Sequence, residues 1–347
     1  SREMRDLITK RRVLITGAGG SIGSELVRQI ANYFPSEIIL VENSEFNLYT
    51  IDMELSNKNP GVARHALIGD VRDRQRMFQI FEQYKPELVF HAAALKHVPM
   101  VEFNMFEGMF TNVIGTKNVA DAANKALVST FVQISTDKAV NPSNIMGASK
   151  RIAESYCQAL DLERGLNTTR FITVRFGNVL GSAGSVVALF RDQISKGGPV
   201  TVTDPKMKRY FMTVREAVEL VLAASALGTT QPNQVGKIFV LEMGKPVLIQ
   251  SLAEQMIRLA GHSPSKDIKI IHTGLRPGEK LFEEMFHDGE KLVETSQSGV
   301  MLAAPRVVDL EDIILQIDKI NKTIITNDGK SLIKIIHSLV PEYNPPS

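Results

Sequence analysis

Glycines at positions 17, 20 and 23 lie in the run Thr16-Gly17-Ala18-Gly19-Gly20-Ser21-Ile22-Gly23, directly after the apolar triplet Val13-Leu14-Ile15. Binding a pyrophosphate requires a tight turn free of Cβ atoms, close backbone approach and oriented N–H donors at a helix start. This spacing offers all three, with Ser21 and Ile22 on the first helical turn. An ordinary strand-to-helix turn is the plainer alternative, and the repeating strand and helix pattern around the loop argues against it. Glu42 ends the second apolar run, about 20 residues past the last glycine, where a carboxylate accepts hydrogen bonds from the adenosine ribose hydroxyls. Its charge repels a 2′-phosphate, and Asn43-Ser44-Glu45 brings no cation to bind one, so NAD is favoured over NADP. The bland alternative for Glu42 is a solvent-facing carboxylate. Asp70 and Val71, after the third run, are expected to border the adenine, although Asp70 serves equally well as a helix cap. Ala92 and Ala93, after the fourth, are assigned to the cofactor site. Thr136, Asp137 and Lys138 follow the fifth, and Lys150 opens a helix four residues beyond Met146. On residue type alone, Asp137-Lys138 reads as well as a surface ion pair.

Short apolar runs must position these groups. Val13–Ile15, Ile38–Val41, Ala66–Ile68, Leu88–Phe90, Phe131–Ile134 and Ile172–Val174 alternate with helix-compatible stretches, the first over Ser21 to Tyr33. That alternation predicts an α/β fold, a Rossmann-type doubly wound parallel sheet with both faces covered. Beyond about Arg175 it decays into Gly/Pro-interrupted segments. The expected division is therefore residues 1–175, with a core starting near 11, as the cofactor-binding domain. Residues 176–347 are expected to form mainly a smaller C-terminal α/β substrate lobe, some segments of which return to the Rossmann sheet.

Composition narrows the classes. In 347 residues, 44% are apolar, and 40 Lys+Arg against 38 Asp+Glu leave a net charge of +2. Disordered, collagen-like and disulfide-built proteins are excluded, and nothing electrostatic points to nucleic acid as a partner. The single cysteine, Cys157, permits neither an internal disulfide nor a cysteine metal cage, and suits a reducing, cytoplasmic compartment. His91 and His97 lack companions at ligand-like spacing, so no metal is expected. Apolar runs fall short of the roughly 18 residues of a membrane span; the longest, Ala217 to Leu227, contains Glu219 and reads as a buried helix. A chain opening on Ser1 with the charged stretch Arg2 to Arg12 reads as a piece of something longer. Any membrane attachment would come from a segment upstream, at the cytoplasmic face.

The chain resembles the extended short-chain dehydrogenase/reductase family, and within it the UDP-N-acetylglucosamine 4,6-dehydratases of bacterial polysaccharide and protein-glycan synthesis. The resemblance rests on the glycine loop at 16–23, His-Ala-Ala-Ala-Leu-Lys-His-Val at 91–98 and Ser-Thr-Asp-Lys at 135–138. It extends through Arg-Phe-Gly-Asn-Val at 175–179, Gly-Ser-Ala-Gly-Ser-Val at 181–186 and Leu-Arg-Pro-Gly-Glu-Lys-Leu at 275–281. One departure matters: the family pattern Tyr-x-x-x-Lys has Met146 in place of tyrosine, as in the larger, membrane-anchored members. A thioether cannot serve as the base.

The resemblance implies NAD-dependent dehydration in which hydride leaves C4 of the sugar, water is lost across C5 and C6, and hydride returns to C6. It implies Lys138 as base at C5, Asp137 as acid at O6, and Lys150 on the nicotinamide ribose, with Met146 filling the tyrosine's space. Lys138 would have to be neutral, and Lys150 and the nicotinamide charge are expected to lower its pKa. Thr136 is a candidate partner of the sugar O4, whose proton acceptor stays open. The UDP-sugar would engage Asn178, the backbone of Gly181 to Ser185 with Ser182 and Ser185, Arg209, Arg276, Glu279 on the uridine ribose, and Lys96. Arg209 and Arg276 are otherwise ordinary surface arginines. Retention at C5 and a homo-oligomer joined by helices beginning near Phe103 and Lys150 also follow from the resemblance. The rivals are a nucleotide-sugar 4-epimerase, which needs no acid and base at C5 and C6, and a non-catalytic sugar-nucleotide binder supported only by Met146.

Overall fold

A computed structural model describes residues 2–165, 168–182, 184–231, 234–287, 290 and 292–345. Strands β1 (Arg12–Thr16), β2 (Glu37–Glu42), β3 (Ala63–Ile68), β4 (Leu88–His91), β5 (Thr130–Thr136) and β6 (Arg170–Phe176) each contain one of the expected apolar runs. They pair in parallel in the order β3-β2-β1-β4-β5-β6. This is the doubly wound order, and its direction reverses between β1 and β4, opening a crevice at the carboxyl ends of those strands.

Alternation of side chains builds two cores. Val13, Ile15, Ile38, Leu40 and Phe90 point into one, with Leu26 and Val27 from the helix Ser21–Ala31 and Val221 from Val214–Thr230. Leu14, Ile39, Val41, Val89 and Phe131 point into the other, with Ile80, Val119 and Ile152 from the opposite helices. Of these six strands, β3, at the sheet edge, is the one largely open, with Ile68 55% exposed.

The later chain contributes β7 (Asn178–Leu180), β8 (Val200–Val202), β9 (Lys208–Arg209), β10 (Phe211–Thr213), β11 (Ile238–Leu241), β12 (Val247–Leu248), β13 (Ile270–His272), β14 (Val293–Glu294) and β15 (Val300–Ala303). Strand β11 joins β6 in parallel, and β15 and β14 add antiparallel, completing nine strands. The two-stranded pairs β10–β7, β12–β9 and β13–β8 accompany a separate small core of Phe190, Ile194, Val200, Val202, Ile249, Ile257 and Ile268. The final helices, Leu310–Thr326 and Gly329–Leu339, bury Ile313, Ile317, Ile320 and Leu332 in the second Rossmann core. Asn344 is tied down by donating its N–H to the Pro142 carbonyl at 2.9 Å.

Among the described residues no helix is long and apolar enough to cross a membrane. The run Ala217–Leu227 lies within the buried helix Val214–Thr230.

If the last helices are part of the main core, Ile317→Ala should cost about 2–5 kcal/mol in urea unfolding. Ile325→Ala, on the same helix but 76% exposed, should stay within about 0.5 kcal/mol.

Candidate active site

The glycine loop turns from β1 into Ser21–Ala31 under steric constraints that exclude other residues. Gly17 has φ +63, and a Cβ there would meet the Ala93 Cα at 2.8 Å. A Cβ on Gly23 would lie 1.9 Å from the Gly17 carbonyl oxygen. Gly20 begins the helix without a side-chain cap, the arrangement a bound pyrophosphate requires. Glu42 is buried, not solvent-facing: its carboxylate accepts N–H bonds from Gly19 at 2.9 Å, Asn43 at 3.0 Å and Ser44 at 3.1 Å. It anchors the loop while holding a negative charge at the end of β2, so these residues fit NAD and disfavour a 2′-phosphate. Asp70 does not cap the following helix; Asp73 does, accepting the Arg76 N–H at 2.9 Å. Asp70 instead takes the Arg72 guanidinium at 2.7 Å. Val71 is buried against Gly115, whose added Cβ would meet it at 2.7 Å.

Behind Ala92 and Ala93 the loop is braced by buried polar groups. His91 lies between Thr16 Oγ1, 2.7 Å from Nδ1, and Thr116 Oγ1, 2.9 Å from Nε2. Burial, assisted by the Lys150 charge, pushes its pKa down to about 3. His91 is thus a neutral core group. Asn112, in the π-helical turn Phe110–Ile114, donates to the Leu95 carbonyl and to Ser149 Oγ, both at 2.9 Å, and accepts the Leu95 N–H.

Strand β5 ends at the reactive candidates. Thr136 Oγ1 donates to Asp137 Oδ1 at 2.9 Å, and Lys138 Nζ donates to the same oxygen at 3.1 Å and to Asn178 Oδ1 at 3.2 Å. Asp137 is fully buried, and its Oδ2 has no hydrogen-bond partner. The pair is therefore not a surface ion bridge. A Cβ on Gly147 would sit 2.1 Å from the Lys138 carbonyl oxygen, so only glycine lets the helix Ile145–Leu162 approach this turn. Lys150, on that helix, donates to the Ile134 carbonyl at 2.7 Å. Burial lowers its pKa to about 8 against the raising pull of Glu154. Met146 is buried in the second apolar core.

Lys138 is not pushed towards neutrality by Lys150. Burial alone would lower its pKa, but Asp137 and Glu283 outweigh burial and the opposing Arg209, leaving it raised. Glu283 was missed in the sequence, where it lies just past the motif at 275–281; its place four residues after Glu279 was the available signal. Its Oε1 is 4.0 Å from Lys138 Nζ and 3.9 Å from Arg209 Nε. A second omission, the buried Glu154–Arg175 pair, closes at 2.7 Å beneath the turn, and Ser135 Oγ donates to Glu154 at 2.6 Å.

The expected substrate residues fall into two groups. Asn178 joins Lys138, and the buried Arg209 is no surface arginine: it donates to the carbonyls of Lys208, Lys280 and Leu281. Its donors serve the fold. Ser182 donates to the Val179 carbonyl, and Ser185 caps the helix Val186–Ser195; Ala183 of this loop lies outside the described residues. Arg276 is exposed and reaches Glu279 at 4.0 Å. Lys96 is held below the usual lysine range by partial desolvation and the Lys138 charge, while His97 lies under Gly184, where a Cβ would meet its ring at 2.5 Å. The helix Ile145–Leu162, expected at an oligomer interface, is buried within the chain, with Leu310–Thr326 packed against it. Among the described residues no group of three His, Cys, Asp or Glu side chains is placed for a metal.

This fold is that of the extended short-chain dehydrogenase/reductase class. Residues 13–305 match the polysaccharide biosynthesis protein family, and the chain belongs to it. It is 51% identical over 284 residues to the capsular polysaccharide biosynthesis protein CapD of Staphylococcus aureus, covering 82% of this chain and 46% of that protein. The chain spans about half the length of the first such relatives it matches. It is 34% identical to a UDP-N-acetylglucosamine 4,6-dehydratase (inverting) of Campylobacter jejuni, over 80% of this chain and 78% of that one. A UDP-glucose 4-epimerase of Rickettsia canadensis is 36% identical, with 80% and 78% covered. Among solved structures, Pen from Bacillus thuringiensis superposes with a TM-score of 0.76 at 34% identity, covering 86% of this chain and 88% of that one.

The state of His91 has a measurable consequence. An unfolded histidine takes a proton near pH 6.5, and this one resists until about 3. Its contribution to stability is complete above pH 6.5 and is lost as the pH falls towards 3, at about 1.4 kcal/mol per pH unit. Urea titrations against pH should show that loss in the wild type and a shallower one in His91→Asn.

Proposed function

We propose that the chain is the catalytic part of an NAD-dependent UDP-N-acetylglucosamine 4,6-dehydratase, acting in cytoplasmic synthesis of a bacterial glycan. The observation that carries this reading is the pair of buried Asp137 and half-buried Lys138, hydrogen-bonded beside Thr136 at the carboxyl end of β5. An acid and a base side by side are what elimination across C5 and C6 needs and what exchange of configuration at C4 does not. The Rickettsia relative named as an epimerase favours the second reading, nucleotide-sugar 4-epimerization.

Bound NAD would supply a reversible hydride acceptor, taking hydride from C4 and returning it to C6. The loop of Gly17, Gly20, Ser21, Ile22 and Gly23, with Glu42, Asp70, Val71, Ala92, Ala93 and Lys150, would hold it. Without a tyrosine, the O4 proton needs another route. Thr136 Oγ1 already donates to Asp137, so it can receive the O4 proton as it passes its own to the carboxylate. Asp137 then gives that proton to the departing O6, and water leaves. Lys138 takes the C5 proton and returns one to C5 from the same face, which preserves configuration. Lys96, Asn178, Ser182, Ser185, Arg209, Arg276 and Glu279 would seat the UDP-sugar, Arg209 by holding the 280–281 backbone. Assembly of copies finds support in Met100 and Phe103, 67% and 82% exposed on the helix Val98–Phe103.

Proton NMR of UDP-N-acetylglucosamine with the protein and NAD in deuterated water should show a new C6 methyl signal with solvent deuterium at C5. The galacto isomer without a methyl would instead establish the epimerase. Lys138→Ala should bind NAD normally and lose at least about 100-fold in methyl formation; near-normal rates would remove Lys138 from the base role.

Lys150 predicts a second dependence. The folded amine gives up its proton near pH 8, so NAD affinity measured by calorimetry should weaken as the pH rises through 8, by roughly tenfold for loss of a charged hydrogen bond. Lys150→Met should bind more weakly throughout and show no such step.

A further inference from the structure

A raised pKa leaves Lys138 an ammonium at rest, whereas a base at C5 must be an amine. Its excess proton needs a destination other than Asp137, which is occupied with O4 and O6. The surroundings of Nζ offer one. Asp137 Oδ1, on the turn after β5, and Asn178 Oδ1, on β7, accept its hydrogen bonds, and Glu283 Oε1 stands 4.0 Å away. Glu283 is buried and its Oε2 has no hydrogen-bond partner; its other oxygen is shared between Lys138 and Arg209, whose Nε stands at 3.9 Å while its Nη donors are spent on carbonyls. Burial and the neighbouring Asp137 charge raise its pKa against the pull of Lys138, Arg209 and Lys280.

We propose that Glu283 is a positioning residue that receives the resting proton of Lys138 when substrate covers the site, leaving the neutral amine that acts at C5. The inference rests on the dehydratase reading. In the step, the Nζ–H bond breaks and an Oε1–H bond forms, converting an ammonium–carboxylate pair into an amine and a carboxylic acid with no change in total charge. The side chain of Lys138 is 17% exposed. A sugar seated over it removes that remaining solvation, and desolvation favours a neutral pair over an ion pair. Nζ and Oε1 must first close to about 2.8 Å. The charged groups facing this exchange are Asp137 on the turn after β5, Arg209 on β9, Lys280 on the segment of Glu283, and Lys96, whose charge is felt by Lys138. All but Asp137 are cations.

The test compares full-chain wild type, Glu283→Gln and Glu283→Asp, each checked for an unchanged melting curve. With NADH in place of NAD, turnover is blocked, and infrared difference spectra on adding UDP-N-acetylglucosamine should show a protonated-carboxyl C=O band in wild type that Glu283→Gln lacks. With NAD, Glu283→Gln should lower kcat for methyl formation about 100-fold, keep KM within about twofold, and move the acid limb of the kcat profile to higher pH; Glu283→Asp should restore part of the rate. A band that survives Glu283→Gln, an unshifted pH profile, or a change in KM alone overturns the proposal while leaving the dehydratase reading standing. If the wild type forms no methyl, the dehydratase reading fails and this inference fails with it.

Discussion

Glu154 is buried without exposure in the middle of the helix Ile145–Leu162, and the geometry above it depends on how its charge is met. Arg175 of β6 binds both carboxylate oxygens, at 2.8 and 2.7 Å, Ser135 of β5 donates to one, and Arg151 stands at 3.6 Å. Burial would raise this carboxyl's pKa, and the two arginines with Ser135 hold it below the usual range. A buried ion pair adds little net stability over an apolar one of the same shape, but removing one partner typically costs 3–5 kcal/mol, roughly. The pair therefore acts as a register lock. It binds the ends of β5 and β6 to the helix that carries Met146 and Lys150, and only in that register does Gly147 meet the Lys138 carbonyl.

A second set of contacts joins the later chain to this turn at the same place. Ser143 and Asn144 both donate to the Gly278 carbonyl at 2.9 Å, and Lys280 reaches the Val140 carbonyl at 3.0 Å. Arg209 ties β9 to residues 280 and 281, and Asn141 hydrogen-bonds Glu284. The segment 275–284 is thus a bridge from the small core to the reactive turn. This explains why a motif distant in sequence carries a carboxylate to Lys138.

Under the proposed reading, the absence of a tyrosine alters which group handles a proton. It leaves the acid and base pair intact. Met146 contributes apolar volume to the second core, while the hydroxyl next to a carboxylate at 136 and 137 offers O4 a short path. Burial of Asp137 keeps bulk water from competing for that path.

Much of this was legible in the chain itself. Apolar runs such as Val13–Ile15 and Leu88–Phe90 specify strands because a parallel sheet covered on both faces favours near-continuous apolar residues. The glycines at 17 and 23 are dictated by local geometry, and so is the Asp137-Lys138 pair following β5. Interactions between segments far apart along the chain were not legible. That Glu42 anchors the loop, that Arg209 spends its Nη donors on carbonyls, that the helix Leu310–Thr326 packs on Ile145–Leu162, and that Glu283 stands near Lys138 across 145 positions of sequence follow from packing. The reason is physical: local patterning sets which residues are buried, but the charge state and role of a buried group are set by the partners that tertiary structure brings to it, and those partners leave no periodic trace in the sequence.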